Sequence, residues 1–123
     1  MRVLLSIKPE YAQSILDGNK KFEFRRVIFK NESIKTVVMY ASYPLKKIVG
    51  EFSVSGIISM DTSNLWANTE SYAGISKACY DDYFLGKNIG HAIIVSDVKI
   101  YAEQKELSSL NIERAPQSFM YIK

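Results

Sequence analysis

Basic residues with a single carboxylate among them lie early in the chain. Positions 20 to 30 hold five basic residues and one acid, Glu23. Apolar and charged residues alternate here, which predicts a strand with Lys21, Glu23 and Arg25 on one wet face. Cations that repeat along one surface can bind a phosphate backbone, and arginine adds paired planar donors. The segment predicts either a nucleic-acid contact or a solvated charge ladder, in which Glu23 forms only a structural ion pair with Arg25 or Arg26.

Lys20 comes two residues after Gly18, where we expect a helix to end and the chain to turn. A lysine beside another cation or in a dry pocket has a lowered pKa and can act as a base or a nucleophile. The neighbouring cations favour this, whereas Glu23 opposes it by stabilising the charged form. A strand that already began at Lys20 would point Lys20 and Glu23 to opposite faces. A shared site therefore requires Lys20 to lie in the turn.

The chain has one histidine, His91, and one cysteine, Cys79. A disulfide within the chain and a multi-histidine metal site are therefore excluded, and we expect no metal. His91 is expected to be a hydrogen-bonded structural residue at the start of a strand. Cys79 falls on the apolar side of its helix and is expected to be buried and inert.

Trp66 lies within residues 60–75, which have no clear periodicity and are predicted to form a loop with one helical turn. An aromatic ring on an exposed loop can stack on a nucleobase, which contributes about 1–3 kcal/mol per base. The alternative is that the indole belongs to the core. Phosphate-loop and dinucleotide-binding motifs do not occur, so we expect neither ATP nor NAD chemistry and predict no cofactor.

Long strands with short helices between them predict the architecture. Apolar runs and alternation predict strands over residues 2–7, from residue 20, and over residues 36–41, 47–59, 92–101 and 119–122. Within the strand over residues 47–59, Gly50 and Gly56 are predicted to mark bulges or bends. Helices are predicted from Pro9 to Gly18 and from Lys77 to Leu85, with a helical turn at 106–110. We expect an α+β, mainly β fold: a mostly antiparallel curled sheet with two or three short helices. Closure into a small β-barrel would hide its edges.

The composition fits one globular domain over residues 1–123. The chain is 47% hydrophobic and 24% charged, which excludes wholesale disorder and a fibrous fold. Sixteen basic and thirteen acidic residues give a net charge of +3, which permits a nucleic-acid partner without requiring one. No segment approaches the roughly 18 apolar residues of a membrane span. We expect a soluble cytoplasmic protein that does not bind membranes and is a monomer or a weak dimer.

Several segments, taken in order, resemble the ASCH domain signature. A helix is followed by Gly18, Lys20, Glu23 and Arg25 in the spacing Gly-x-Lys-x-x-Glu-x-Arg. Residues 40–44, 48–52, 80–87 and 115–119 resemble later segments of the same family. The resemblance covers nearly the whole chain and implies a PUA-like fold, a small β-barrel.

The resemblance also implies a function connected with RNA. Relatives in this family are seen or proposed as RNA-binding modules in RNA metabolism or transcription regulation. Our leading hypothesis is therefore an RNA-binding module with a basic cleft, for which RNA is the expected partner. The cleft would be formed by Lys20, Glu23, Arg25 and Ser42, with Lys21, Arg26 and Lys46 beside it and Trp66 as a candidate stacking residue. Ser42 is alternatively an ordinary turn serine that bonds its own backbone.

An enzymatic alternative also follows from the resemblance. One branch of the family hydrolyses N4-acetylcytidine, with a catalytic lysine that corresponds to Lys20 and a threonine where this chain has Glu23. If the chain is an enzyme of this kind, Lys20 and Glu23 are its catalytic candidates. The downstream carboxylate that such an enzyme needs would be Glu70, Asp81 or Asp82. A single-strand ribonuclease is a third hypothesis, which no histidine pair supports.

Overall fold

A six-stranded sheet runs through the chain, and three α-helices pack against it. The computed structural model describes all residues, 1–123. The strands are β1 (Arg2–Ile7), β2 (Phe22–Arg25), β3 (Thr36–Ala41), β4 (Lys47–Asp61), β5 (Ile89–Lys105) and β6 (Phe119–Ile122). The helices are α1 (Pro9–Leu16), α2 (Thr62–Thr69) and α3 (Lys77–Tyr83), with short 3-10 helices at Glu70–Tyr72 and Leu107–Leu110.

The strand order across the sheet is β2-β5-β4-β3-β1-β6. Strands β1 and β3 run parallel, and every other neighbouring pair is antiparallel. The α+β, mainly β fold is therefore confirmed. The backbone ladder stays open, because β2 and β6 are the two ends of the sheet and do not pair. The expected barrel thus describes the curl of the sheet rather than a closed ring of hydrogen bonds.

The curl arises in the long β4–β5 pair, whose register shifts between Ile48 and Gly50, between Glu51 and Ser53 and between Val54 and Gly56. The bends predicted at Gly50 and Gly56 are confirmed, because a register shift occurs at each of these glycines. Gly50 has a packing reason as well, because an added Cβ would lie 2.5 Å from the Lys99 carbonyl oxygen. Each bulge increases the local twist, so the sheet wraps round its own core.

Apolar side chains pack on both faces of the sheet, and the second cluster helps to position the site. The largest cluster packs α1 against the sheet and includes Leu5, Ile15 and Phe52. A second cluster joins β2 to α2 and α3 through Phe24 and Tyr80, whose ring centroids are 5.1 Å apart. Strand β2 and α3 are thereby fixed beside each other, and their polar side chains can form one surface.

The helix boundaries follow from local chemistry. Pro9 occupies the first turn of α1, and Gly18 follows the helix with φ of 83°. The Ser76 side chain accepts a hydrogen bond from the Cys79 backbone N–H and caps α3. None of the helices combines the length and the apolar character that a membrane crossing requires.

Two expectations about this region were wrong. Residues 62–69 form the helix α2 rather than a loop with one turn; the Asp61 side chain caps it and Leu65 anchors it in the core. Cys79 is exposed rather than buried. Helix α3 turns Tyr80 inward, and consecutive helical residues point about 100° apart, so the neighbouring Cys79 faces outward.

Candidate functional site

A cleft of about 1190 Å³ opens beside β2, which is one end of the sheet. Its walls come from β2, the end of β1, the turn between β3 and β4, helix α3 and the segment 115–118. Parts of the chain that are far apart in sequence therefore face one space. Such a concave site with convergent polar groups is the usual form of a ligand-binding pocket.

Six of the eight residues that the sequence singled out line this one cleft: Lys20, Glu23, Arg25, Arg26, Ser42 and Lys46. The other two do not line it. Lys21 lies outside the cleft with its ammonium 4.3 Å from the centre of the Tyr72 ring. Trp66 is half-buried and packs on Tyr80, with ring centroids 4.8 Å apart. Of the two alternatives for Trp66, the structure therefore shows packing against the core.

Lys20 lies in the turn between α1 and β2, which satisfies the condition for a site shared with Glu23. Its backbone N–H donates to the Ser14 carbonyl at 3.1 Å, so the end of α1 fixes its position. The residue is only 2% exposed, and Nζ donates to the Ala73 carbonyl at 2.6 Å. The stem of Lys20 also packs against Gly74, where an added Cβ would lie 2.4 Å from the lysine Cβ.

The surroundings of Lys20 act on its charge in opposite directions. Burial lowers its pKa, and the Glu23 carboxylate partly offsets this. The ammonium also lies 4.8 Å from the centre of the Phe24 ring and 5.3 Å from that of Tyr11, which favours the charged form. Lys20 is thus a desolvated amine on the floor of the cleft, and its pKa lies below the ordinary lysine value.

Glu23 and Arg25 form an ion pair on the floor of the cleft. They stand two residues apart on β2 and so share a face, and Glu23 Oε2 lies 3.2 Å from Arg25 Nη1. The residues are 5% and 7% exposed. The charged face of β2 is therefore covered rather than solvated, which corrects the expectation of a wet face. The predicted ion pair is present, and both partners also line the cleft.

The Arg25 guanidinium spans the gap between the two ends of the sheet. Nη1 donates to the Ser6 carbonyl at 3.3 Å, in β1. Nη2 donates to the Ser118 carbonyl at 3.1 Å and to the Ser118 hydroxyl at 2.9 Å, just before β6. Nε is buried without a partner. A side chain thus joins edges that the backbone ladder leaves apart.

Exposed cations surround the rim of the cleft. They are Lys8, Arg26, Lys46 and Lys87. None of them forms a salt bridge within the chain. The exposed Asp82 is the one rim acid. The cleft therefore has a basic mouth above a floor where Glu23 and Arg25 neutralise each other.

Hydroxyl groups line the cleft that the sequence did not single out. They belong to Ser6, Tyr11, Tyr40, Tyr43, Tyr83 and Ser118. The Tyr83 hydroxyl accepts a hydrogen bond from the Arg26 backbone N–H at 3.1 Å. Burial raises the pKa of both Tyr11 and Tyr83. Tyr83 and Ser118 fall in segments that carried the family resemblance, which was the only sequence signal that could have found them.

The ASCH domain family matches residues 5–115 of this chain. The chain belongs to the ASCH domain family.

Relatives of this ASCH domain carry different names. The chain is 32% identical over 94 residues to an "ASCH domain-containing ribonuclease" of Zymomonas mobilis, covering 76% of this chain and 64% of that protein. It is 31% identical to the large ribosomal subunit protein uL22 of Ureaplasma parvum and 30% identical to the ATP synthase subunit alpha of the same organism. The matches cover 98% of this chain but only 39% and 15% of those two proteins.

Solved structures share the fold over the whole ASCH domain. The crystal structure of ASCH from Zymomonas mobilis superposes with a TM-score of 0.91 at 28% identity, covering 99% of this chain and 87% of that one. A tyrosine-to-phenylalanine and a serine-to-alanine variant of that protein superpose with TM-scores of 0.91 and 0.89. The N-terminal domain of McrB from Staphylothermus marinus shares the fold with a TM-score of 0.52 at 14% identity.

Only one of the three downstream carboxylates considered for an enzyme reaches the cleft of the ASCH domain. Asp82 lines it. Asp81 lies outside and pairs with Lys77 at 2.7 Å, and Glu70 also lies outside. No three His, Cys, Asp or Glu side chains are grouped so that they could hold a metal ion. The side chains in the cleft that could carry a proton include Lys20, Glu23, Lys46, Asp82 and the tyrosine hydroxyls.

Proposed function

We propose that this ASCH domain binds single-stranded RNA in the cleft beside β2. The observation that carries the proposal is the set of four exposed cations that line this one cleft and form no salt bridge within the chain. Phosphate oxygens bind to such cations and release counterions, which makes binding favourable at low salt. The cleft also has aromatic side chains at its walls, and unpaired bases stack on such rings.

The relatives support a connection with RNA. A relative in Zymomonas mobilis is named a ribonuclease, and the whole fold of this chain superposes on an ASCH protein of that organism. RNA binding is the step that any ribonuclease shares with a pure binding module. We therefore place binding first and cleavage second.

Cleavage of the bound RNA is a second candidate function. A tyrosine and a serine were each replaced in the Zymomonas mobilis protein, and the cleft of this chain contains both residue types, including Tyr40 and Ser118. In cleavage the ribose 2′-oxygen attacks phosphorus while the bond to the 5′-oxygen breaks. A base takes the 2′-hydroxyl proton, and an acid protonates the leaving oxygen. Because no histidine lines the cleft, Lys20, Lys46 and the hydroxyls would be the proton carriers.

One titration separates binding from cleavage. Labelled single-stranded RNA is titrated at low and at high salt, and its length is then checked on a gel. We compare the wild type with Lys46→Gln at the rim and with Lys99→Gln, an exposed lysine on β5 outside the cleft, as the matched control. The proposal predicts salt-sensitive binding that Lys46→Gln weakens and Lys99→Gln leaves unchanged. No binding at low salt, or equal weakening by both variants, would overturn it.

The same samples test the enzymatic hypotheses. Shortened RNA with the wild type but not with Lys20→Ala would establish a ribonuclease. For the amidohydrolase hypothesis, the protein is incubated with N4-acetylcytidine and the products are separated by chromatography. Formation of cytidine would support this hypothesis. If both the RNA and the nucleoside remain intact, both enzymatic hypotheses are excluded and the RNA-binding module is the remaining hypothesis.

A further inference from the structure

We infer that the cleft takes RNA with a nucleobase on its floor and the phosphates at its rim, and that Glu23 selects bases with an exocyclic amino group. This inference deepens the proposed function and depends on it.

The distribution of charge sets the orientation of the bound nucleotide. The four free cations are exposed at the rim, where they can reach the phosphates of a strand that crosses the mouth. The floor instead carries the Glu23 carboxylate, 5% exposed and paired with Arg25. A phosphate on this floor would lie beside a like charge in a poorly hydrated space. A neutral base meets no such repulsion.

Arg25 cannot bind a phosphate group in the way that a rim cation can. Both of its terminal nitrogens already donate, to Glu23, Ser6 and Ser118. Its remaining donor, Nε, is sealed from solvent. The second floor cation, Lys20, is also engaged, because its ammonium donates to the Ala73 carbonyl and contacts two aromatic rings. The floor therefore lacks the open, repeated donors that a phosphate group needs.

Glu23 has one oxygen free for a ligand. Oε2 accepts from Arg25, whereas Oε1 makes no hydrogen bond within the chain. Arg25 Nε is the only sealed side-chain polar atom without a partner, so Glu23 Oε1 remains accessible from the cleft. An ionised carboxylate only accepts hydrogen bonds, and a half-satisfied one in a cleft favours a ligand that donates. The amino groups of cytosine, adenine and guanine donate in this way.

Uracil lacks a group of this kind. Its one ring N–H lies between two carbonyl oxygens, which would approach the carboxylate and be repelled. The walls of the cleft add Tyr11 and Tyr83, whose rings can stack on any base and so do not discriminate. Discrimination between amino bases and uracil is therefore assigned to Glu23.

The Glu23→Gln variant gives a directional test. A glutamine can keep the Arg25 contact through its carbonyl oxygen and then presents an NH₂ group to the cleft. The preferred base should change from an amino-bearing one to uracil, because the amide donates to a uracil carbonyl. Asp82→Asn is the matched control, an acid-to-amide change at the rim. It should raise or lower the affinity for all RNAs alike.

The measurement is the affinity for a short oligouridine and for the same RNA with one central cytidine or adenosine, with RNA integrity checked afterwards. The wild type should bind the cytidine and adenosine RNAs roughly tenfold or more tightly than oligouridine, the range for a hydrogen bond to a charged group. Glu23→Gln should lose or reverse this order. Equal wild-type affinities would overturn the inference while RNA binding stands, even if the variant fails to fold. An order that persists in folded Glu23→Gln would overturn it as well. No binding of any RNA would overturn the proposed function itself.

Discussion

Lys20 shows how a buried cation can have several stabilising contacts and still have a lowered pKa. Its ammonium has a carbonyl partner, two aromatic rings and a nearby carboxylate, yet burial outweighs the effect of the carboxylate and lowers its pKa. The backbone on either side fixes the position of Lys20. The chain turns at Gly18 before it, and the Lys21 backbone N–H after it donates to the Tyr72 carbonyl. The local backbone therefore sets the chemistry of the amine.

The lowered pKa of Lys20 has a consequence for stability. Between that lowered pKa and the ordinary lysine value of about 10.4, the unfolded chain binds more protons than the folded one. The free energy of unfolding contributed by Lys20 therefore rises as pH increases through this window. In urea unfolding, the free energy of unfolding of the wild type relative to that of Lys20→Met should increase as pH rises. A difference independent of pH would contradict this.

Gly74 should be intolerant of a side chain because it packs on Lys20. Both Gly74 and Gly86 have left-handed φ angles, of 63° and 83°, but only Gly74 has neighbours where a Cβ would lie. Gly86→Ala should cost about 1–2 kcal/mol from its backbone conformation alone. Gly74→Ala should cost about 1–3 kcal/mol more because the lysine stem must move. Denaturant unfolding of both variants measures the difference, and equal losses would show that the Lys20 contact does not matter.

The sequence predicted the residues of the site better than their environment. Spacing and resemblance pointed to Lys20, Glu23 and Arg25, which do meet in one cleft. Alternation alone could not show that the charged face of β2 is covered, because the covering segments come from distant parts of the chain. The same limit applies to Trp66, whose contact with Tyr80 depends on how α2 and α3 pack.

At the scale of elements, Arg25 compensates for a sheet that does not close. Strand β2 has one backbone neighbour, β5, and β6 has one, β1. The guanidinium bonds to Ser6 and Ser118 across the gap between them. We call these hydrogen bonds from Arg25 to Ser6 and Ser118 the Arg25 clamp. The Arg25 clamp fixes the relative position of the two walls of the cleft.

Removal of this clamp should destabilise the fold and loosen one strand. Arg25→Met leaves Glu23 buried without its partner, which should cost about 3–5 kcal/mol in unfolding experiments. The double variant Arg25→Met/Glu23→Met also removes the unpaired Glu23 carboxylate, so its free energy of unfolding should fall by less. Amide hydrogen exchange should accelerate in β6 in both variants, because both lack the contacts to Ser118. Unchanged exchange in β6 would show that β1 alone holds this strand.

The strands and the helices α1 and α3 were easier to predict than helix α2. Long β-branched and alternating runs predicted β3, β4 and β5, and the glycines predicted the bends. Helix α2 was missed because Ser, Thr and Asn residues dominate it, which have low helix propensity. It forms because Asp61 caps it and Leu65 is buried, contacts that no local pattern reveals. The open ladder was equally hidden, since strand patterns do not state which strands pair.

At the scale of the whole molecule, the position of the charges matters more than their sum. A net charge of +3 is modest for a chain of 123 residues. Two acids outside the cleft, Glu106 and Asp81, are paired with Lys47 and Lys77, whereas the rim cations form no salt bridge. The rim thus carries four cations outside any salt bridge against one acid, Asp82, where a strand of RNA would cross.

This concentration predicts a specific dependence of RNA affinity on salt. Each cation that contacts a phosphate contributes about 0.7 to the slope of log affinity against log salt for single strands. Lys8→Gln and Lys87→Gln should each flatten that slope by about this amount, and removal of all four rim cations should flatten it by about 2.8. Lys99→Gln should leave the slope as it is, because this lysine lies outside the cleft. Slopes that fall equally for rim and control variants would mean that RNA contacts the surface at large. A set of slopes that falls only at the rim would map the path of the strand across the mouth, cation by cation.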